Sequence, residues 1–168
     1  MRMLKDHKDL LAAFNAHGVK YLVIGGHAVG VHADPRGTKD LDIFIKADEA
    51  NSKAVFAALA DYGAPLDKVT PADFNDTPSS VFQLGVEPSR VDILQGIAAV
   101  TFDEAWKGRV EEILDQDTPA HVISREHLIR NKLAVGRHQD LADVEKLREA
   151  ASMTEPLRKR ARKGDGKR

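Results

Sequence analysis

The stretch GGHAVGVHADPRGTKDLDIFI, residues 25–45, decides how the rest of the chain is interpreted. Two glycines end an apolar run, and two aspartates separated by a leucine open the next run. Because side chains alternate between the faces of a strand, Asp40 and Asp42 share one face and lie about 6–7 Å apart. That spacing lets both carboxylates reach one or two hard cations, which prefer oxygen ligands. The competing interpretation is a half-exposed strand whose polar face is acidic.

A third carboxylate strengthens the case for a cation site. Asp92 stands in the apolar sequence RVDIL, which is typical of a strand. If this strand lies beside DLDIFI, about 4.8 Å away, Asp92 joins the same face of the sheet. There the carboxylate is placed to take a proton from an attacking hydroxyl or to complete a metal shell. Two metal ions about 3.5–4 Å apart are the arrangement that serves in-line displacement at phosphorus.

The glycine pair Gly25 and Gly26 follows the strand-like run VKYLVI and precedes a helix predicted at about residues 27–33. Without side chains, backbone N–H groups at a helix N-terminus approach a phosphate closely, and the helix dipole favours the anion. A tight turn that needs glycine for its dihedral angles explains the pair equally well. Neither a P-loop nor the glycine spacing of a dinucleotide-binding turn is present.

The order of strand and helix signals predicts an α/β (α+β) domain with a mixed β-sheet flanked by helices. Residues 1–150 are expected to form one domain, with an N-terminal helix at 3–17 and a core at 20–123. The C-terminal helices at 124–150 are expected to pack on that core. Residues 151–168 are expected to form a basic, disordered tail.

Composition limits the class of protein. The 168 residues are 42% hydrophobic and 30% charged, and cysteine is absent, which excludes disulfides and thiolate metal sites. No apolar run is long enough for a membrane span, and the acidic residues near the N-terminus argue against a secretory signal, so we expect a cytoplasmic protein. Residues 158–168 hold seven Lys or Arg and one acid. Such a tail fits an arm for RNA, phosphate or an acidic partner, or a solubilising or cloning-derived end.

Taken together, the residues resemble the signature of the nucleotidyltransferase superfamily. That signature is a hydrophobic residue, Gly and Gly or Ser, a gap, and then Asp, a hydrophobic residue, Asp or Glu, and a hydrophobic residue. Ile24, the glycine pair, and the sequence DLDI at 40–43 fit it, and Asp92 is similar to the third acid of the family. The sequence KLAVGRHQDLADVEKL, which contains Lys132, resembles a C-terminal motif of small bacterial members related to toxin–antitoxin and abortive-infection systems.

The resemblance implies a fold of the polymerase-beta type and transfer of a nucleoside monophosphate from an NTP to a hydroxyl. It implies that Asp40, Asp42 and Asp92 are catalytic and bind Mg²⁺ or Mn²⁺. The residues expected to hold the nucleotide phosphates are Gly25, Gly26, Lys132, Arg36, Thr38 and Lys39.

The acceptor is left open among an RNA or tRNA end, a partner protein and a small molecule, with the basic tail favouring RNA. The alternative to the enzyme is a catalytically weak or inactive nucleotide-binding or interaction module of a toxin–antitoxin pair.

Overall fold

The computed structural model describes residues 2–34, 37 and 40–165, with side chains described as far as residue 153. The predicted Arg36, Thr38 and Lys39 therefore lie outside the described residues. Six strands form one sheet: β1 Tyr21–Ile24, β2 Leu41–Ile45, β3 Val81–Leu84, β4 Val91–Leu94, β5 Val110–Leu114 and β6 Thr118–Val122. Six α-helices are described: α1 Lys5–Ala16, α2 Gly25–His32, α3 Glu49–Tyr62, α4 Phe102–Lys107, α5 Arg125–Val135 and α6 His138–Asp165.

The strand order is β3-β4-β2-β1-β6-β5, and the sheet is mixed. The pairs β1/β2, β3/β4 and β5/β6 are antiparallel, whereas β2/β4 and β1/β6 are parallel. The predicted α+β fold with a mixed sheet is thereby confirmed. Strand β2 lies between β4 and β1 in the interior of the sheet, so the DLDIFI sequence is held by ladders along both edges.

The two faces of β2 are used differently. Leu41, Ile43 and Ile45 are fully buried and belong to the hydrophobic core. On the other face, Phe44 packs edge-on against Phe102 of α4, with ring centroids 5.2 Å apart. The acidic end of this face is thus the part that remains for a polar site, while its far end is closed by aromatic packing.

Capping residues set the ends of helices α3 and α5. Asp48 accepts a hydrogen bond from Asn51 N at 2.7 Å and starts α3, and Ser124 Oγ accepts one from His127 N at 3.2 Å at the start of α5. Gly63 and Gly136 take left-handed φ values of 95° and 71° and end these two helices.

Two boundaries differ from the prediction. Helix α2 begins at Gly25, not near residue 27, because a φ of 64° at Gly25 turns the chain directly from β1 into the helix. Helix α6 continues to Asp165, beyond residue 150, where the C-terminal helices were expected to end. The division into a domain at residues 1–150 and a tail at residues 151–168 stays a prediction. Among the described residues, no helix is both long enough and apolar enough to cross a membrane.

Candidate active site

The register of the sheet places the two central carboxylates side by side. Asp42 of β2 is the register partner of Asp92 in the parallel strand β4. On the other edge of β2, Ile24 of β1 is the register partner of Asp42. On the far side of β4, Gln83 of β3 is the register partner of Asp92. Paired residues point to the same face of a sheet, so these four side chains form one row across four strands.

A cavity of about 500 Å³ opens on three members of this row, Ile24, Asp42 and Asp92. Its walls include most of the residues predicted from the sequence: Gly25, Gly26, Asp40, Asp42, Asp92 and Lys132. Helix α2 starts at this cavity, and the backbone N–H groups of its first turn have no partners within the helix. The cavity therefore combines a carboxylate cluster with the positive end of a helix.

Gly25 allows the carboxylate of Asp42 to lie against the backbone. A Cβ atom built at this position would stand 2.3 Å from Asp42 Oδ2, far inside van der Waals contact. The left-handed φ of 64° also disfavours any residue with a side chain. Gly25 is thus required twice, for the turn and for the approach of Asp42.

Burial and mutual repulsion in the acidic cluster raise the pKa of Asp42. Burial, followed by the charges of Asp92 and Asp40, raises the pKa of Asp42 to about 6, although Arg90 and Lys132 act in the opposite direction. The ionised form of Asp42 is therefore less favourable here than in water, and positive charge that enters the cavity would stabilise it. This property is expected of a carboxylate that binds a cation.

Arg90 is a site residue that the sequence analysis missed. Its Nε and Nη2 donate to the two oxygens of Asp92 at 2.9 and 3.2 Å, and its backbone N donates to Asp40 Oδ1 at 3.0 Å. One residue therefore holds two of the three aspartates. The available signal was its position two residues before Asp92, which puts both side chains on the same face of a strand.

Lys132 is 5% exposed and is held by two aspartates of α6. Its Nζ lies 2.9 Å from Asp143 Oδ2 and 3.4 Å from Asp140 Oδ1. Arg137 Nε donates to Asp140 Oδ2 at 2.8 Å. Burial alone would raise the pKa of Asp140, but the hydrogen bond from Arg137 and the charge of Lys132 hold it below its usual value. The cluster joins α5 to α6 and presents Lys132 to the cavity.

The three carboxylates predicted as metal ligands do not form a ready-made metal site. Within residues 2–34, 37 and 40–165, no three histidine, aspartate or glutamate side chains already converge as a metal site. Both oxygens of Asp92 accept hydrogen bonds from Arg90. The donor set nevertheless suits Mg²⁺, because it consists of carboxylate oxygens and the raised pKa of Asp42 reports negative charge that a cation would offset.

Two solved structures share the fold. The lincomycin-bound lincosamide antibiotic adenylyltransferase LnuA is 17% identical, with a TM-score of 0.57, and the match covers 89% of this chain and 99% of that one. The antibiotic-resistance factor ANT(2'')-Ia is 16% identical, with a TM-score of 0.56, covering 95% of this chain and 90% of that one. At these identities the likeness is one of fold alone. A comparison with curated proteins finds no match.

The family assignment comes from the sequence as a whole. Residues 2–161 match the model of a family described as "Nucleotidyltransferase of unknown function (DUF6036)". The match extends across nearly the whole chain and includes every residue of the cavity named above. The chain therefore belongs to this nucleotidyltransferase family.

Proposed function

We propose that the protein transfers a nucleoside monophosphate from an NTP to the hydroxyl of an acceptor, with Mg²⁺ as the metal. The observation that carries the proposal is the register pairing of Asp42 with Asp92, directly beside the glycine pair at the start of α2. This arrangement offers carboxylates for cations and backbone N–H groups for phosphate oxygens within one cavity.

The residues divide the chemistry between them. Gly25 and Gly26 bind the triphosphate through the N-terminus of α2, and Lys132 supplies a positive charge for its oxygens. The acceptor oxygen attacks the α-phosphorus and forms a new oxygen–phosphorus bond. The bond between the α-phosphorus and the oxygen that bridges it to the β-phosphorus breaks, and pyrophosphate leaves with that oxygen. Asp92 takes the hydroxyl proton as general base. Positioning and charge neutralisation supply most of the rate enhancement.

Asp40 and Asp42, joined by Asp92, would hold the metal. When bound there, Mg²⁺ polarises the phosphate oxygens and neutralises charge on the phosphates. The chain's own contribution is to keep these carboxylates fixed and in reach, which it does through the ladders along both edges of β2 and through Arg90.

The direct test uses NTPs labelled at the α-phosphate together with Mg²⁺ and a cell extract. We expect labelled acceptor to form, and to disappear with EDTA or in Asp92→Asn, because that variant cannot accept the proton. Asp67→Asn is the matched control, since it removes an exposed aspartate from a loop. Transfer that survives Asp92→Asn unchanged would contradict the assignment of the base.

A second candidate is nucleotide binding without transfer. It is favoured by one observation, the engagement of both oxygens of Asp92 by Arg90. This candidate predicts NTP binding in calorimetry by wild type and Asp92→Asn alike, with no labelled acceptor from either. Labelled acceptor from the wild type would exclude it.

Arg90 gives a prediction about pH dependence. Its charge lowers the pKa of Asp42, so Arg90→Gln is expected to raise that pKa further and to move the acid limb of the kcat/KM profile toward higher pH. The profile is best measured at sub-saturating Mg²⁺, where the metal does not mask the titration. Arg90→Lys keeps the charge and should leave the acid limb of the profile in place, although it loses the bidentate hydrogen bonding to Asp92. An unmoved limb in Arg90→Gln would show that Asp42 does not control it.

A place in a toxin–antitoxin pair is also proposed, resting only on the resemblance of the C-terminal motif. Co-expression with the neighbouring gene product, followed by purification through a tag on one chain, tests this association. A stable stoichiometric complex is the expected result, and a chain that elutes alone would contradict it.

A further inference from the structure

The exposed face of β3 lies next to the catalytic row and has no role in the proposed nucleotide site. Gln83 follows Asp92 in the row across the sheet, one strand nearer the edge. Val81 points to the same face and is 47% exposed, and Gln83 is exposed as well. Leu94, the register partner of Val81, lines the cavity. We call Val81, Gln83 and Leu94 the β3 shelf.

The shelf is exposed because β3 packs against the rest of the protein through its opposite face. Phe82 turns away from the cavity and packs against Phe74, with ring centroids 5.3 Å apart. Around the shelf, the chain before β3 contacts the chain after β4. Gln95 N donates to Ser80 O at 3.2 Å, and a Cβ on Gly96 would stand 2.5 Å from Pro78 O. These contacts hold the shelf at a fixed position beside Asp92.

Stereochemistry indicates which side the acceptor must occupy. In an in-line displacement the attacking oxygen and the leaving oxygen lie on opposite sides of phosphorus. If the triphosphate lies over Gly25 and Gly26, on the β1 side of Asp42, the acceptor approaches over Asp92 from the β3 side. We therefore propose that the β3 shelf binds the acceptor and that Gln83 helps to determine its specificity. This inference rests on the proposed function.

The charges beside the shelf indicate the class of acceptor. Residues 77–89, which comprise β3 and the chain on either side of it, contain one carboxylate, that of Glu87, and no Lys or Arg. Arg90 follows, but its guanidinium is engaged by Asp92 and by Glu87, whose Oε1 lies 3.2 Å from Nη1. A nucleic acid needs Lys and Arg to neutralise its phosphates. The shelf instead suits a small hydroxylated molecule that is neutral or positively charged.

The shelf also matches that class in its contacts. The Gln83 amide has both donor and acceptor groups, so it can bind a hydroxyl in either direction. Val81 and Leu94 offer apolar surface for the carbon skeleton of the acceptor. This acceptor class differs from the RNA suggested by the basic tail at residues 158–168.

The first experiment identifies the acceptor class. The whole protein is incubated with Mg²⁺, α-labelled NTPs, and the ultrafiltered small molecules, total RNA or protein fraction of one cell extract. We expect label to be transferred to a component of the small-molecule filtrate. Transfer to RNA or protein but not to the filtrate would overturn the inference and leave the proposed function standing. Label in no fraction would contradict the proposed function itself.

The second experiment tests the shelf. In Gln83→Ala, the amount of filtrate that gives half-maximal transfer should rise about three- to tenfold, as expected for one lost hydrogen bond, while the KM for NTP stays unchanged. Gln116→Ala, an identical change in the β5–β6 turn at the far edge of the sheet, is the matched control. Gln83→Trp should block transfer but retain NTP binding in calorimetry. Normal transfer by both Gln83 variants would overturn the assignment of the shelf.

Discussion

Asp42→Asn is expected to abolish nucleotidyl transfer and, at neutral pH, to make the protein more stable. Transfer should fall by on the order of 10³-fold, because a neutral amide replaces the carboxylate that we propose as a metal ligand at the centre of the site. The free energy of unfolding should rise, because the substitution removes a half-buried negative charge that lies beside two others. Urea unfolding and steady-state transfer, measured on the same preparations, check the two effects.

The pH dependence of this stability gain follows from the direction of the pKa shift. Burial and neighbouring carboxylates raise the pKa of folded Asp42 to about 6, above about 3.9 in the unfolded chain. The folded state therefore holds the proton more tightly, and wild-type stability falls as pH rises from about 4 to 6. The advantage of Asp42→Asn should grow across that window and level off at about 2–3 kcal/mol.

Mg²⁺ provides the control for this prediction. It should raise the melting temperature of the wild type at pH 7, because a cation that binds the folded state stabilises it. It should have little effect on Asp42→Asn. An Asn variant that is no more stable than wild type at pH 7 would show that the Asp42 charge is already compensated in the folded protein.

Gly25→Ala is expected to reduce transfer by about 100-fold, since the new methyl group must displace Asp42 and an error of about 1 Å in a reacting group costs that much. The built Cβ lies 2.3 Å from Asp42 Oδ2, and the neighbouring backbone is fixed on both sides of β2. The free energy of unfolding should also fall by about 1–2 kcal/mol, because the left-handed conformation is unfavourable for alanine.

Gly18→Ala separates the two effects of that substitution. Gly18 has a φ of 63°, nearly the same as Gly25, yet a Cβ there would meet nothing within 4 Å. Both variants therefore bear the same backbone cost, and only Gly25→Ala disturbs the carboxylate. Transfer lost equally in both would mean that the close approach of Asp42 is irrelevant to activity.

The carboxylate row could be predicted from sequence because it depends on a period of two. Asp40 and Asp42 alternate with buried residues, and Asp92 stands in a second strand of the same kind. The family resemblance was needed to bring the two strands together, since no local rule specifies that β2 and β4 are parallel neighbours. The family itself and the mixed sheet are confirmed, whereas the toxin–antitoxin role stays a prediction.

The supporting residues were harder to find for two reasons. Arg90 is a charged residue at the end of a hairpin, and its sequence alone does not distinguish a surface arginine from one that holds Asp92. The family resemblance predicted Lys132 as a phosphate-binding residue, but its contacts with Asp140 and Asp143 depend on how α6 packs against α5. Packing angles between helices are decided by whole surfaces and not by any short motif.

The ion cluster between α5 and α6 makes the cavity depend on the order in which the chain assembles. Until Asp140 and Asp143 are in place, Lys132 has no anchor, and its long side chain is free to remain in water. During synthesis, Asp40, Asp42 and Asp92 would therefore be available before Lys132 could be held in place by α6. The nucleotide site should therefore be completed last, when α6 packs against α5.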